Sequence, residues 1–154
     1  ALVVFDHNLV PMGSFQRVIS QSPEELELAL HPIAREMHVD NGLYDDVLDS
    51  NMTLEQVEAE AVDWLKRMGV VRPLPMVGSS VTFDRNVLRR VMPVLFSKFH
   101  YQSVDATSVA LAAKAMGVLY PADNGAEDAS NAHRALHDVM RSASLIRRVM
   151  TGVQ

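Results

Sequence analysis

Short apolar runs alternate with capped helical segments along this chain, and that alternation restricts it to an α/β architecture. Leu2 to Phe5 reads as a strand ending at Asp6-His7-Asn8, whose short polar side chains favour a turn, and Ser14 to Ile19 reads as a second strand, so a hairpin opens the chain. Ser22-Pro23-Glu24-Glu25 supplies an N-cap, a proline in the first helical position and a glutamate three residues after the cap, which predicts a helix through about Leu30 that Pro32 interrupts. Ile33 to Ser50, with Asn41-Gly42 and several aspartates, has the character of a functional loop with a short helix on either side. Thr53-Leu54-Glu55-Gln56 is a second capping box, and Leu54, Val57, Ala61, Trp64, Leu65 and Met68 carry a helical apolar face that Gly69 ends. Then come a strand at Leu74 to Val77, the turn Gly78-Ser79-Ser80, a helix at Asp84 to Met92 and a further helical turn from Pro93 to about Phe99. A strand at Tyr101 to Asp105, an alanine-rich helix at Thr107 to Met116, a loop at Val118 to Ser130 and a helix from Asn131 to about Val149 complete the pattern. The order predicts one domain with a mixed sheet flanked by helices.

Composition narrows the class. At 154 residues and 48% hydrophobic content a single domain can bury a core without covalent staples, and with no cysteine neither a disulfide framework nor a thiolate nucleophile is available. Fourteen Lys plus Arg against nineteen Asp plus Glu give a formal charge of -5, which argues against tracking long nucleic acid, where released counterions supply most of the affinity. A short fragment held through metal ions needs no basic face. No apolar run approaches the roughly 18 residues of a membrane span and no signal peptide is evident, so a cytoplasmic protein without a membrane partner is expected.

Three segments carry candidate chemistry: Gly78-Ser79-Ser80-Val81-Thr82-Phe83-Asp84, Tyr101-Gln102-Ser103-Val104-Asp105 and His133-Arg134-Ala135-Leu136-His137-Asp138. The last is an H-x4-D signature, and the first resembles the N/S-x-x-x-F-D box of DEDD-type 3′-to-5′ exonucleases with a catalytic histidine. With Val18-Ile19-Ser20-Gln21-Ser22, Glu24-Glu25-Leu26, Met37-His38 followed by Gly42-Leu43, and Phe99-His100-Tyr101, the chain resembles the oligoribonucleases over essentially its whole length. The resemblance implies a ribonuclease-H-like mixed sheet and 3′-to-5′ hydrolysis of very short RNA. Two divalent ions, Mg²⁺ or Mn²⁺, would clamp the scissile phosphate through hard oxygen ligands.

By that resemblance Asp84 and Asp138 are metal-binding carboxylates and His133 is the general base. Five residues within one regular helix would turn His133 and Asp138 about 140° apart, so His133 is expected in the lead-in to the last helix and Asp138 inside it. The matching substrate-binding positions are Ser80, Tyr101, Thr107 and Ser108, with Tyr101 contributed across a homodimer interface. Gln102 stands where the family has a basic residue, which removes a charge-assisted phosphate contact. Plainer roles compete at each position. Asp84 and Asp105 can cap the helices they precede, Asp138 can be a solvated carboxylate, Tyr101 a buried strand aromatic and Thr107-Ser108 a helix cap. His137 is expected at the surface, and Arg85, Arg89, Arg90, Arg147 and Arg148 on solvated helix faces.

The family's opening Asp-x-Glu motif is absent. Phe5-Asp6-His7-Asn8 stands too close to Gln21-Ser22 to be that motif, which places Asp6 in the turn after the family's second strand. The expectation is a domain that is N-terminally incomplete, without the central first strand. An inactive exonuclease-fold binding or scaffold protein is the alternative that remains open.

Overall fold

The computed structural model describes residues 1–118 and 134–152. The chain runs β1 (Leu2–Phe5), β2 (Pro11–Phe15), α1 (Pro23–Ala29), α2 (Pro32–Asp40), α3 (Leu43–Asp49), α4 (Leu54–Arg67) and β3 (Leu74–Gly78). It continues through α5 (Val81–Val91), α6 (Pro93–Phe96), β4 (Phe99–Asp105), α7 (Ala106–Ala115) and α8 (Ala135–Gly152). Among the described residues no helix is long and apolar enough to cross a membrane.

The opening hairpin is antiparallel, pairing Leu2 with Phe15 and Val4 with Gly13, and its register shifts between Val4 and Phe5. Its second strand begins at Pro11, three residues before the position expected from sequence. The reason lies in the turn. Asp6 Oδ1 accepts from the backbone N–H of Asn8 at 2.9 Å and of Val10 at 2.8 Å, while Leu9 adopts the left-handed conformation at φ 57°, so the chain reverses tightly and pairing resumes at once. The segment expected to be largely loop between Ile33 and Ser50 is mostly helix, as α2 and α3, with Gly42 at φ 72° making the bend between them. Helix α5 begins at Val81, ahead of the expected Asp84.

Both capping boxes form. Ser22 and Glu25 cap α1, and Thr53 and Gln56 cap α4, in each case with side chain and backbone bonded reciprocally. The apolar face of α4 then packs Val57, Ala61, Val62 and Leu65 with Phe15, Met92 and Leu95 into the main core, against Leu2 and Val4 of β1. Past the end of α4, Met68 lays its side chain over β2, so that a Cβ on Gly13 would lie 2.8 Å from Met68 Cε and would require that flexible end to shift. Helix α8 buries Ala143, Ile146 and Val149 and packs along both β1 and β3.

The architecture is mixed α/β, with helices covering the strands. The strands form two pairs rather than one continuous sheet: β1 with β2 antiparallel, and β3 with β4 parallel through the α5–α6 crossover. Among the described residues β1 and β3 each have one strand partner, and α8 spans both pairs.

Candidate active site

Strand β3 delivers the first candidate segment. Beyond Gly78 the chain turns through Ser79 and Ser80, and Ser80 holds the left-handed conformation at φ 55°, sparsely populated for any residue with a side chain. In that conformation its hydroxyl makes no cap for α5. The cap comes from elsewhere. Asp105, at the end of β4, accepts from the Val81 N–H at 2.9 Å through one carboxylate oxygen and from the Ser108 N–H at 3.0 Å through the other. One carboxylate thus closes the N-termini of α5 and α7 together. The Ser108 N–H chiefly, helped by the Val81 and Thr107 N–H groups, holds the Asp105 pKa below the ordinary aspartate value against partial desolvation. Its capping role, expected for one helix, extends to two.

Asp84 follows one turn into α5, with its side of the helix open to solvent. Surrounding protein nevertheless crowds its carboxyl enough that desolvation raises its pKa, a shift partly offset by its own backbone N–H. Arg85 is not simply solvated as expected: it donates to the His100 carbonyl at 2.8 Å and stacks 5.3 Å from the Phe96 ring centre, tying α5 to β4 and α6.

Asp138 lies in the first turn of α8, half exposed. His133 lies outside the described residues, as do residues 119–130 of the expected loop and Asn131. His137 departs from the surface placement: it is two-thirds covered, and among the described residues its buried Nδ1 has no hydrogen-bond partner, Asp138 Oδ1 standing 4.0 Å away.

The two carboxylate-bearing segments meet through a residue that sequence inspection did not single out. Ser142, buried one turn along α8 from Asp138, donates its hydroxyl to the Asp138 carbonyl at 2.8 Å and shares a 2.9 Å hydrogen bond with the Ser79 hydroxyl. The turn ahead of Asp84 is thereby held against the first turns of α8. A buried serine on a face that otherwise carries Ala143, Ile146 and Val149 was the only available signal.

The proposed substrate positions are all on the surface. Ser80 is exposed, Thr107 and Ser108 sit in the exposed first turn of α7, and Tyr101 is 79% exposed rather than a buried strand aromatic, its ring 4.3 Å from that of His100. Gln102 is exposed beside them. Among the described residues no three His, Asp or Glu side chains gather closely enough to hold a metal ion. Asp84 and Asp138 do not by themselves fit a two-metal centre, since two carboxylates leave about half the charge of two divalent ions uncompensated.

Helices covering two strand pairs, with acidic side chains at the helix starts, make a mixed α/β domain consistent with the ribonuclease-H-like exonuclease class. No family model matches the chain. Curated relatives do: it is 30% identical over 147 residues to an oligoribonuclease of Thiobacillus denitrificans, covering 96% of this chain and 79% of that protein. It is 36% identical over 129 residues to an oligoribonuclease of Xanthomonas campestris pv. campestris, covering 84% and 64%, and 28% identical over 142 residues to that of Nocardia farcinica, covering 91% and 64%. The chain belongs to the oligoribonuclease family. It spans just under two thirds of the length of the Nocardia and Xanthomonas relatives.

Proposed function

We propose that this chain is the exonuclease domain of a 3′-to-5′ exoribonuclease that hydrolyses very short RNA with two divalent ions, Mg²⁺ or Mn²⁺. The observation that carries the reading is the Ser79–Ser142–Asp138 link, which holds the two carboxylate-bearing segments of a family member against one another. Asp84 and Asp138 are two of the metal ligands and His133 is the general base. Ser80, Tyr101, Thr107 and Ser108 contact the oligonucleotide through side chains that are all exposed.

Residues 1–154 act as a single domain, in which α8 covers both strand pairs and so joins the two halves of the described fold. The working form is a homodimer: Tyr101 is exposed, and Phe83, Val87 and Val91 form an exposed apolar stripe at helical spacing along α5, suited to cover by a second copy. The cytoplasm is the expected compartment. Cleavage of labelled dinucleotides by the intact natural protein, with and without Mn²⁺, tests the reading. A binding or scaffold role is the alternative, and it would be favoured if the intact natural protein bound short RNA but cleaved none with or without Mn²⁺.

A further inference from the structure

Arg134 stands where its carbonyl accepts the first hydrogen bond of α8, from the Asp138 N–H at 3.1 Å. An arginine is a poor residue for that place. Its side chain has no acceptor for the free N–H groups of the first turn, and its charge opposes the positive end of the helix dipole. The side chain is instead directed to the α2–α3 turn, where Nη2 donates to Asp46 Oδ2 at 2.6 Å and Nη1 reaches the Asn41 carbonyl at 3.4 Å. It is 19% exposed, against 48% for Asp46. Helices α2 and α3 contain no buried residue, so apolar burial seats this pair weakly and polar ties weigh more in placing it.

We propose that Arg134 is a positioning residue that clamps the α2–α3 turn to the first turn of α8 and so sets where Asp138 stands during hydrolysis. The proposal rests on the reading of Asp138 as a functional carboxylate. Its warrant is a local rule broken at the start of a helix and explained by a two-pronged contact to another element. The planar fork reaches two acceptors on separate residues, whereas a lysine ammonium is a point charge on a flexible stem. A misplacement on the order of 1 Å at a catalytic group costs about a hundredfold in rate. Asp46 is half exposed though Arg134 is largely covered, so the pair contributes modestly to folding, and reading kcat beside the melting temperature separates activity from stability.

The experiment compares the intact natural protein with Arg134→Lys, Asp46→Asn and the double variant, by steady-state cleavage of a labelled RNA dinucleotide in Mn²⁺ and by amide hydrogen exchange. The expected result is a kcat lowered about 10- to 100-fold with KM within about twofold and a melting temperature close to the parent's. The double variant should be no worse than the worse single, and exchange should accelerate in the first turns of both α3 and α8 in each single variant. Parental kcat in Arg134→Lys, or a change in KM alone, would overturn the proposal. If the parent protein cleaves no dinucleotide, the functional reading fails and exchange decides on the clamp: linked acceleration supports it, and acceleration confined to the mutated helix overturns it.

Discussion

Replacing Asp105 tests how the scaffold sets the start of α5, and through it Asp84. Its two carboxylate oxygens serve separate helices, with Val81 N–H at 2.9 Å on one and Ser108 N–H at 3.0 Å on the other. Removal of one side-chain cap costs about 1 kcal/mol within a range of about 0.5–2. Asp105→Asn keeps one acceptor oxygen and should lose about 1 kcal/mol, whereas Asp105→Ala loses both caps and should lose about 2–3 kcal/mol. For a domain of this size that corresponds to about 2–4 °C and about 5–10 °C in Tm respectively. Ser80 cannot substitute, because its left-handed backbone makes no side-chain cap. Urea unfolding at neutral pH measures both values. The carboxylate's pKa is lowered in the folded protein, so its stabilisation is present above the ordinary aspartate pKa and is lost as pH falls through the folded value. The gap between the parent and Asp105→Asn should therefore narrow as pH falls below the ordinary aspartate pKa and through the lower folded value. Equal stabilities for all three proteins at neutral pH, or Asn costing as much as Ala, would refute the double-cap reasoning.

Ser142→Ala removes the tie between Ser79 and α8 and should cost about 1–2 kcal/mol in urea unfolding, with no loss expected from an equivalent change at exposed Ser97 beyond a few tenths. Ile146→Ala empties a buried position of α8 and should lower stability by about 2–5 kcal/mol; a change below about 1 kcal/mol would contradict the packing of this helix across both strand pairs. Tyr101→Ala should leave Tm within about 2 °C of the parent because the ring is exposed, while weakening dimerisation in sedimentation and raising KM for short RNA. Unchanged dimerisation and KM would remove Tyr101 from the interface and the substrate site.

Much of the element order was legible because local chemistry decides it. The α1 and α4 boundaries follow from side chains that satisfy backbone N–H groups three residues away, a signal wholly contained in Ser22–Glu25 and Thr53–Gln56. The β2 boundary was misplaced because pairing there depends on how Asp6 and Leu9 fold the turn, and Pro11 is tolerated in a strand of a two-stranded sheet. Asp84 and Asp138 were singled out by resemblance to the family's motifs, and each lies in the first turn of its helix. Ser142, the second cap made by Asp105 and the Arg134 contact with Asp46 were not, because each joins residues far apart in sequence whose chemistry is unremarkable until the chain is folded. The half-buried setting of His137 escaped for the same reason.

The most direct test is cleavage of a labelled RNA dinucleotide by the intact natural protein in Mn²⁺, run beside Asp138→Ala. The account predicts metal-dependent release of mononucleotides by the parent and a loss of at least about a hundredfold in the variant, since even outer-shell changes at metal sites cost about 10- to 100-fold. No metal-dependent cleavage by the parent, or undiminished cleavage by Asp138→Ala, would contradict it.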